Sequence, residues 1–138
     1  SHPYKFIASL GEMMQLAADI GTGNVGLLLD AWHLYTSGDD LDVLDSLTSA
    51  NVVSVHINDA PVGIPRDELA DTVRCLPLET GVIDLVGFMR KLAELGYDGP
   101  VTTEPFNQRL NDLAADDPQA AAQQVSHAMD RLWQASGL

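Results

Sequence analysis

The run Val52-Val-Ser-Val-His-Ile-Asn-Asp59 limits what this chain can fold into more than any other stretch. Its first half is β-branched, apolar and too short for a stable helix, as expected of a buried strand. Its second half turns polar, with His56 and Asp59 where the strand should end. Two other runs finish in the same way. Val25-Gly-Leu-Leu-Leu-Asp30 closes on a carboxylate with His33 three residues on, and Pro100-Val-Thr-Thr-Glu104 closes on another. Three strands ending in Asp, His and Glu would gather polar, ligating groups at one rim of a sheet.

The segments between these runs carry helical signals. Ser9-Leu-Gly-Glu12 has capping-box spacing, and Leu10, Met13, Met14, Ala17 and Ile20 follow at helical period up to Gly21, predicting a helix over 10–20. A polar loop through Gly38 should lead to a short helix over 40–48, capped by Asp39 or Asp40 and bearing Leu41, Leu44 and Leu47. Residues 60–83 give no periodic signal and are expected to be a long connection, a feature that is uncommon in compact domains and often functional. Asp84 should cap a helix over 85–95 whose inner face is Leu85, Phe88, Met89, Leu92 and Leu95. Tyr97-Asp-Gly-Pro100 then turns the chain into the third strand. After a further loop comes a last helix over 118–134, with Val125, Met129, Leu132 and Trp133 assigned to the core and His127 to a polar face. Trp32 and Tyr97 suit either packing or the lining of a pocket.

The order is α-β-α-β-α-β-α with no hairpin signal, so strands 25–30, 52–58 and 100–104 should be adjacent and parallel. In parallel α/β folds, ligands collect at the C-terminal ends of the strands. Asp30, His56 and Glu104 fall there.

Composition narrows the partners. A length of 138 residues suits one domain with a sizeable core. Seven basic against twenty acidic residues give a net charge of −13, which repels a phosphate backbone and speaks against nucleic acid. No apolar run approaches the roughly 20 residues of a membrane span. The single Cys75 excludes an intramolecular disulfide and fits a cytoplasmic setting.

Taken singly, the rim residues have ordinary explanations. Asp30 could cap a loop, His33 could sit satisfied in one, and His56 could be a core histidine bonded to a carbonyl. Glu104 is harder to dismiss, because a carboxylate closing an apolar strand is costly when buried without a partner. Together, Asp, His and Glu make a donor set for a divalent ion such as Mn, Co, Mg or Zn.

Several motifs occur in a fixed order: Gly26-Leu-Leu-Leu-Asp30-Ala-Trp-His33, Val55-His56-Ile-Asn-Asp59, Asp71-x-x-Arg74-x-Leu-Pro77, Gly81-x-Ile-Asp84, Gly96-Tyr-Asp-Gly-Pro100 and Thr103-Glu104-Pro-Phe106. In this order the chain resembles the sugar-phosphate isomerase/epimerase branch of the xylose-isomerase-like TIM barrels, which includes inosose isomerases and ketose 3-epimerases. The resemblance spans residues 1–138 and implies the C-terminal portion of a (β/α)8 barrel, about three βα units and a preceding helix, since a whole barrel needs about 250 residues. It implies a divalent metal held by Asp30, His56 and Glu104, with a further glutamate on a strand preceding Ser9 that this chain lacks. It also implies that Glu104 is one of two proton-transferring glutamates, and that His33 and Arg74 bind substrate. The expected substrate is a sugar or sugar phosphate, converted through an enediolate. A barrel portion with free sheet edges is expected to form a homo-oligomer or to need completion by a partner. Apurinic-site endonucleases share the fold, but they need more histidine ligands and a basic surface. Leu78 stands where relatives usually place Gly in a Pro-Gly-Glu-x-Gly turn, so a positive φ there would carry strain.

Overall fold

The computed structural model describes residues 7–138. Three strands, β1 (Leu27–Asp30), β2 (Val52–His56) and β3 (Val101–Thr102), form one sheet in that order, with both pairs parallel. The strands are shorter than their apolar runs suggest. β3 keeps only two residues in the ladder, held by Val55 N–H to Pro100 O and Ile57 N–H to Thr102 O. Asp30 pairs with His56, and His56 with Thr102, so these residues lie in one row across the sheet. The register slips between Leu27 and Leu28, beside Gly26. A Cβ at Gly26 would stand 2.5 Å from Val53 Cγ1, so a larger residue here would have to displace the Val53 side chain.

The helix α1 (Leu10–Ile20) starts at the expected capping box of Ser9 and Glu12 and ends at Gly21 in the left-handed conformation. Between β1 and β2 the chain differs from expectation. Residues 31–37 form a helix, α2 (Ala31–Ser37), where a loop was expected, because Asp30 caps it directly from the end of β1 and Gly38, at φ 90°, stops it. The segment expected to be helical over 40–48 is a 3₁₀ turn, Leu41–Ser46. Asp39 turns away from that segment and accepts from Leu10 N–H of α1 at 3.1 Å.

The helix α3 (Leu85–Glu94) is capped by Asp84 as expected and buries Leu85, Phe88, Met89 and Leu92. A further helix, α4 (Gln108–Asp116), forms where the sequence predicts a loop and begins at Asn107, whose side chain accepts from Leu110 N–H. The helix α5 (Pro118–Ser136) is capped by Asp117. Its buried residues Ala128, Leu132 and Ser136 recur every four positions. Trp133 therefore turns outward and is 37% exposed, which corrects its assignment to the core. Tyr97 packs against the core, and its hydroxyl closes its own turn on Pro100 O at 2.8 Å.

The main core lies between one sheet face, carrying Leu29 and Val55, and the apolar faces of α3 and α5. Leu28 and Val53 are 54% and 59% exposed on the strands. A smaller cluster of Leu76, Leu110, Ala121 and Ala128 joins α4 and α5 to the long connection. No helix among the described residues is long and apolar enough to cross a membrane.

Residues 60–83 are better organised than their sequence suggested. They hold two 3₁₀ turns, Arg66–Glu68 and Asp71–Val73, and an antiparallel bridge between Asp59 and Cys75. The buried Asp59 carboxylate accepts four backbone N–H groups, from Ala60, Thr80, Gly81 and Ile83, at 2.6–3.0 Å. It draws both ends of the connection onto the end of β2. Within it, Glu79 N–H bonds Leu76 O around Pro77 and Leu78, and Leu78 has φ 58°. This turn requires the positive φ for which glycine is the usual choice.

Candidate metal centre

Side chains alternate along a strand, so Leu28 and Asp30 share one sheet face with Ser54 and His56 of β2. Glu104 lies beyond the β3 ladder, and a buried side chain anchors it there. Asn58, fully buried two residues after His56, accepts from Glu104 N–H at 3.2 Å and from Thr103 Oγ1 at 3.0 Å. A donor atom from each of Asp30, His56 and Glu104 lies within 4.8 Å of the others. His56 Nδ1 is 3.2 Å from Glu104 Oε2. One imidazole and two carboxylates at this spacing fit a divalent ion of the Mn, Co or Zn type.

The two oxygens of Asp30 have separate tasks. Oδ1 accepts Trp32 N–H at 2.8 Å and so caps α2, while Oδ2 faces the site. Asp30 is thus a helix cap and a rim carboxylate at once.

Arg74, only 2% exposed, is the hub of the site. Its Nη1 lies 3.1 Å from Asp30 Oδ2 and 3.5 Å from Glu104 Oε2. Its Nη2 lies 3.1 Å from both Asp71 Oδ1 and His33 Nε2. The guanidinium carbon sits 5.3 Å from the ring centres of both Trp32 and Phe106. Asn107 Nδ2 holds the Arg74 carbonyl at 2.8 Å, fixing the backbone from which the side chain reaches inward.

Asp71 is the site residue that sequence reasoning passed over, although its spacing to Arg74 was visible in the motif. Trp32 Nε1 donates to Asp71 Oδ1 at 3.0 Å, so the buried indole positions a carboxylate. Burial pushes the Asp71 carboxyl upward, but the Arg74 hydrogen bond and charge, with His33 and Trp32, outweigh it and hold the group below its ordinary range. His33 keeps an exposed side chain beside this network. A cavity of about 370 Å³ opens along the free edge of β1, lined by Leu10, Met13, Leu28 and Leu34 and reaching Asp30 and His33. Cys75, next to Arg74, bridges to Asp59. Burial, with the charges of Glu79 and Asp59, raises its thiol to about 11.

Residues 1–132 match the family model described as xylose isomerase-like TIM barrel. The chain belongs to the xylose isomerase-like TIM barrel family. It is 29% identical over 119 residues to an inosose isomerase of Halalkalibacterium halodurans, covering 84% of this chain and 40% of that protein. It is 37% identical over 87 residues to a 3-dehydroshikimate dehydratase of Pseudomonas aeruginosa, covering 61% of this chain and 13% of the other. A xylose isomerase domain protein from Alicyclobacillus acidocaldarius superposes with a TM-score of 0.79 at 33% identity, over 98% of this chain and 46% of that one. The IOLI protein, solved with a zinc atom, superposes with a TM-score of 0.81 at 25% identity, over 91% of this chain and 44% of that one. The chain thus spans less than half the length of these family members, and its three parallel strands form part of a TIM-barrel fold. Its relatives by sequence include inosose isomerases and 3-dehydroshikimate dehydratases.

Proposed function

We propose that this chain is the metal-bearing C-terminal part of a sugar or inosose isomerase/epimerase, with residues 1–138 forming one portion of a TIM-barrel domain. The observation that carries the proposal is the meeting of Asp30, His56 and Glu104, from three successive strands, within 4.8 Å. A divalent ion on these three residues would supply Lewis-acid polarisation of a substrate carbonyl. The zinc in the IOLI protein supports a metal of this kind.

The chain's own residues divide the remaining work. Glu104, half-exposed and clamped by Asn58, moves the proton at the carbon next to the carbonyl through a carboxylate oxygen. Loss of that proton leaves an enediolate. His33, exposed beside Asp30, orients a substrate hydroxyl. Arg74 lies close enough to balance negative charge on substrate oxygens. Returning the proton to the opposite face needs a second base, which the family resemblance places on a strand outside this chain. Turnover is therefore expected only from the completed barrel.

The exposed Leu28 and the outer edges of β1 and β3, which pair with no further strand among the described residues, favour self-association or completion by a partner. The test of the metal reading is calorimetric titration with Mn²⁺ or Co²⁺. His56→Ala should abolish binding, and His127→Ala, on an exposed helix face, should leave it unchanged. Equal binding by both variants would refute the assignment.

A further inference from the structure

Arg74 holds the same oxygens that an ion would need. Asp30 Oδ1 is committed to capping α2, so Oδ2 is the oxygen left for a ligand bond, and Arg74 Nη1 is on it at 3.1 Å. The same Nη1 lies 3.5 Å from Glu104 Oε2. A guanidinium does not deprotonate in a protein, so this positive charge stays at the site whether or not an ion is present. A carboxylate–metal bond of about 2 Å would bring a dication within ion-pair range of that charge. The two cations compete for one set of oxygens in a poorly solvated place.

The other end of the guanidinium has somewhere to go. Nη2 is already 3.1 Å from Asp71 Oδ1, and that carboxylate lies outside the ligand set with its side chain 61% exposed. Trp32 Nε1 steadies the same Oδ1 atom. Nε is buried with no partner among the described residues, so no hydrogen bond there ties the side chain to its present position.

We propose that Arg74 is an internal counter-cation that occupies the carboxylate ligands Asp30 and Glu104 of the unloaded chain, and that Asp71 is the anion to which it withdraws when the ion binds. The proposal rests on the metal reading above. Arg74 then has a role beyond any contact with substrate. It neutralises buried carboxylates before loading, and it weakens metal affinity by an amount that Asp71 moderates.

The test is the sign of the affinity change. Mn²⁺ is titrated into the 138-residue chain, into Arg74→Gln and into Asp71→Asn, with calorimetric affinity and the thermal midpoint of the metal-free protein as readouts. Arg74→Gln should bind Mn²⁺ at least tenfold more tightly while its metal-free midpoint falls, because Asp30 and Glu104 lose their counter-charge. Asp71→Asn should bind roughly three- to tenfold more weakly, with a metal-free midpoint lowered less than in Arg74→Gln because its carboxylate is mostly exposed. A merely supportive Arg74 gives the opposite sign, so weaker or unchanged binding by Arg74→Gln overturns the proposal. If Arg74→Gln does not fold, Asp71→Asn decides alone, and unchanged or tighter binding there overturns it. Loss of binding in His56→Ala certifies that the titration reports this site. Absence of binding in both the wild type and Arg74→Gln would instead sink the metal reading itself.

Discussion

Replacing Asp59 with Asn tests the claim that one buried carboxylate organises the long connection. Oδ1 accepts the fully buried N–H groups of Ala60 and Ile83, at 2.8 and 3.0 Å. Oδ2 accepts those of Thr80 and Gly81, at 3.0 and 2.6 Å, nearer to solvent. The amide keeps one acceptor, which should stay on the dry pair, and turns its NH₂ toward Thr80 and Gly81. Two hydrogen bonds to a charged acceptor are lost, each worth about 1.5–3 kcal/mol when dry and less here because water reaches Gly81. A loss of about 2–3 kcal/mol is expected. Asp59→Ala removes the other acceptor too and strands two buried donors, bringing the total to about 5–8 kcal/mol, comparable to the whole stability of a small domain. The assay is urea unfolding followed by circular dichroism, with amide exchange at Ala60 and Ile83. Asp59→Asn should lower the midpoint at constant slope and keep those two amides protected, while Asp59→Ala should fail to fold. A shift below about 0.5 kcal/mol for Asp59→Asn would show that the connection is held by other contacts.

Two further outcomes follow from single residues. Leu78→Gly should change stability by less than about 1 kcal/mol, because relief of a left-handed backbone worth roughly 1–2 kcal/mol offsets the lost packing of a half-buried side chain. Leu92→Gly, in a right-handed helix and 2% exposed, should cost more than about 3 kcal/mol in the same chemical denaturation, and similar losses at both sites would refute the strain. Cys75, raised from 9.0 to about 11, is a thiol at pH 8. Its alkylation by iodoacetamide should run roughly a hundredfold slower in the native chain than in the urea-unfolded chain and rise about tenfold per pH unit up to pH 11. Equal native and unfolded rates at pH 8 would contradict the burial.

Much of the site was legible because it follows from strand endings. An apolar strand run that turns polar places its last side chains at the rim, and three such runs in parallel order bring Asp30, His56 and Glu104 to one end of the sheet. Caps at Ser9, Asp84 and Asp117 are equally local, since each needs only a short side chain and the next three backbone N–H groups. The missed helix α4 carried the same signal in Asn107, followed by Leu110 and Leu113.

Other features were settled only by contacts distant in sequence. Asp30 alone does not announce that one oxygen caps a helix while the other faces Arg74, 44 residues away. Asp59 looked like one more rim carboxylate, yet it is spent on backbone N–H groups up to 24 residues further on. Nothing in the pattern around Trp32 told packing from positioning, and the bond to Asp71, 39 residues on, decided it. Local sequence therefore determined which residues stand at the rim, because strand alternation and capping act over a few residues. The pairing of each carboxylate was left to the tertiary structure, because a buried charge takes whichever partner the folded chain brings within about 3 Å.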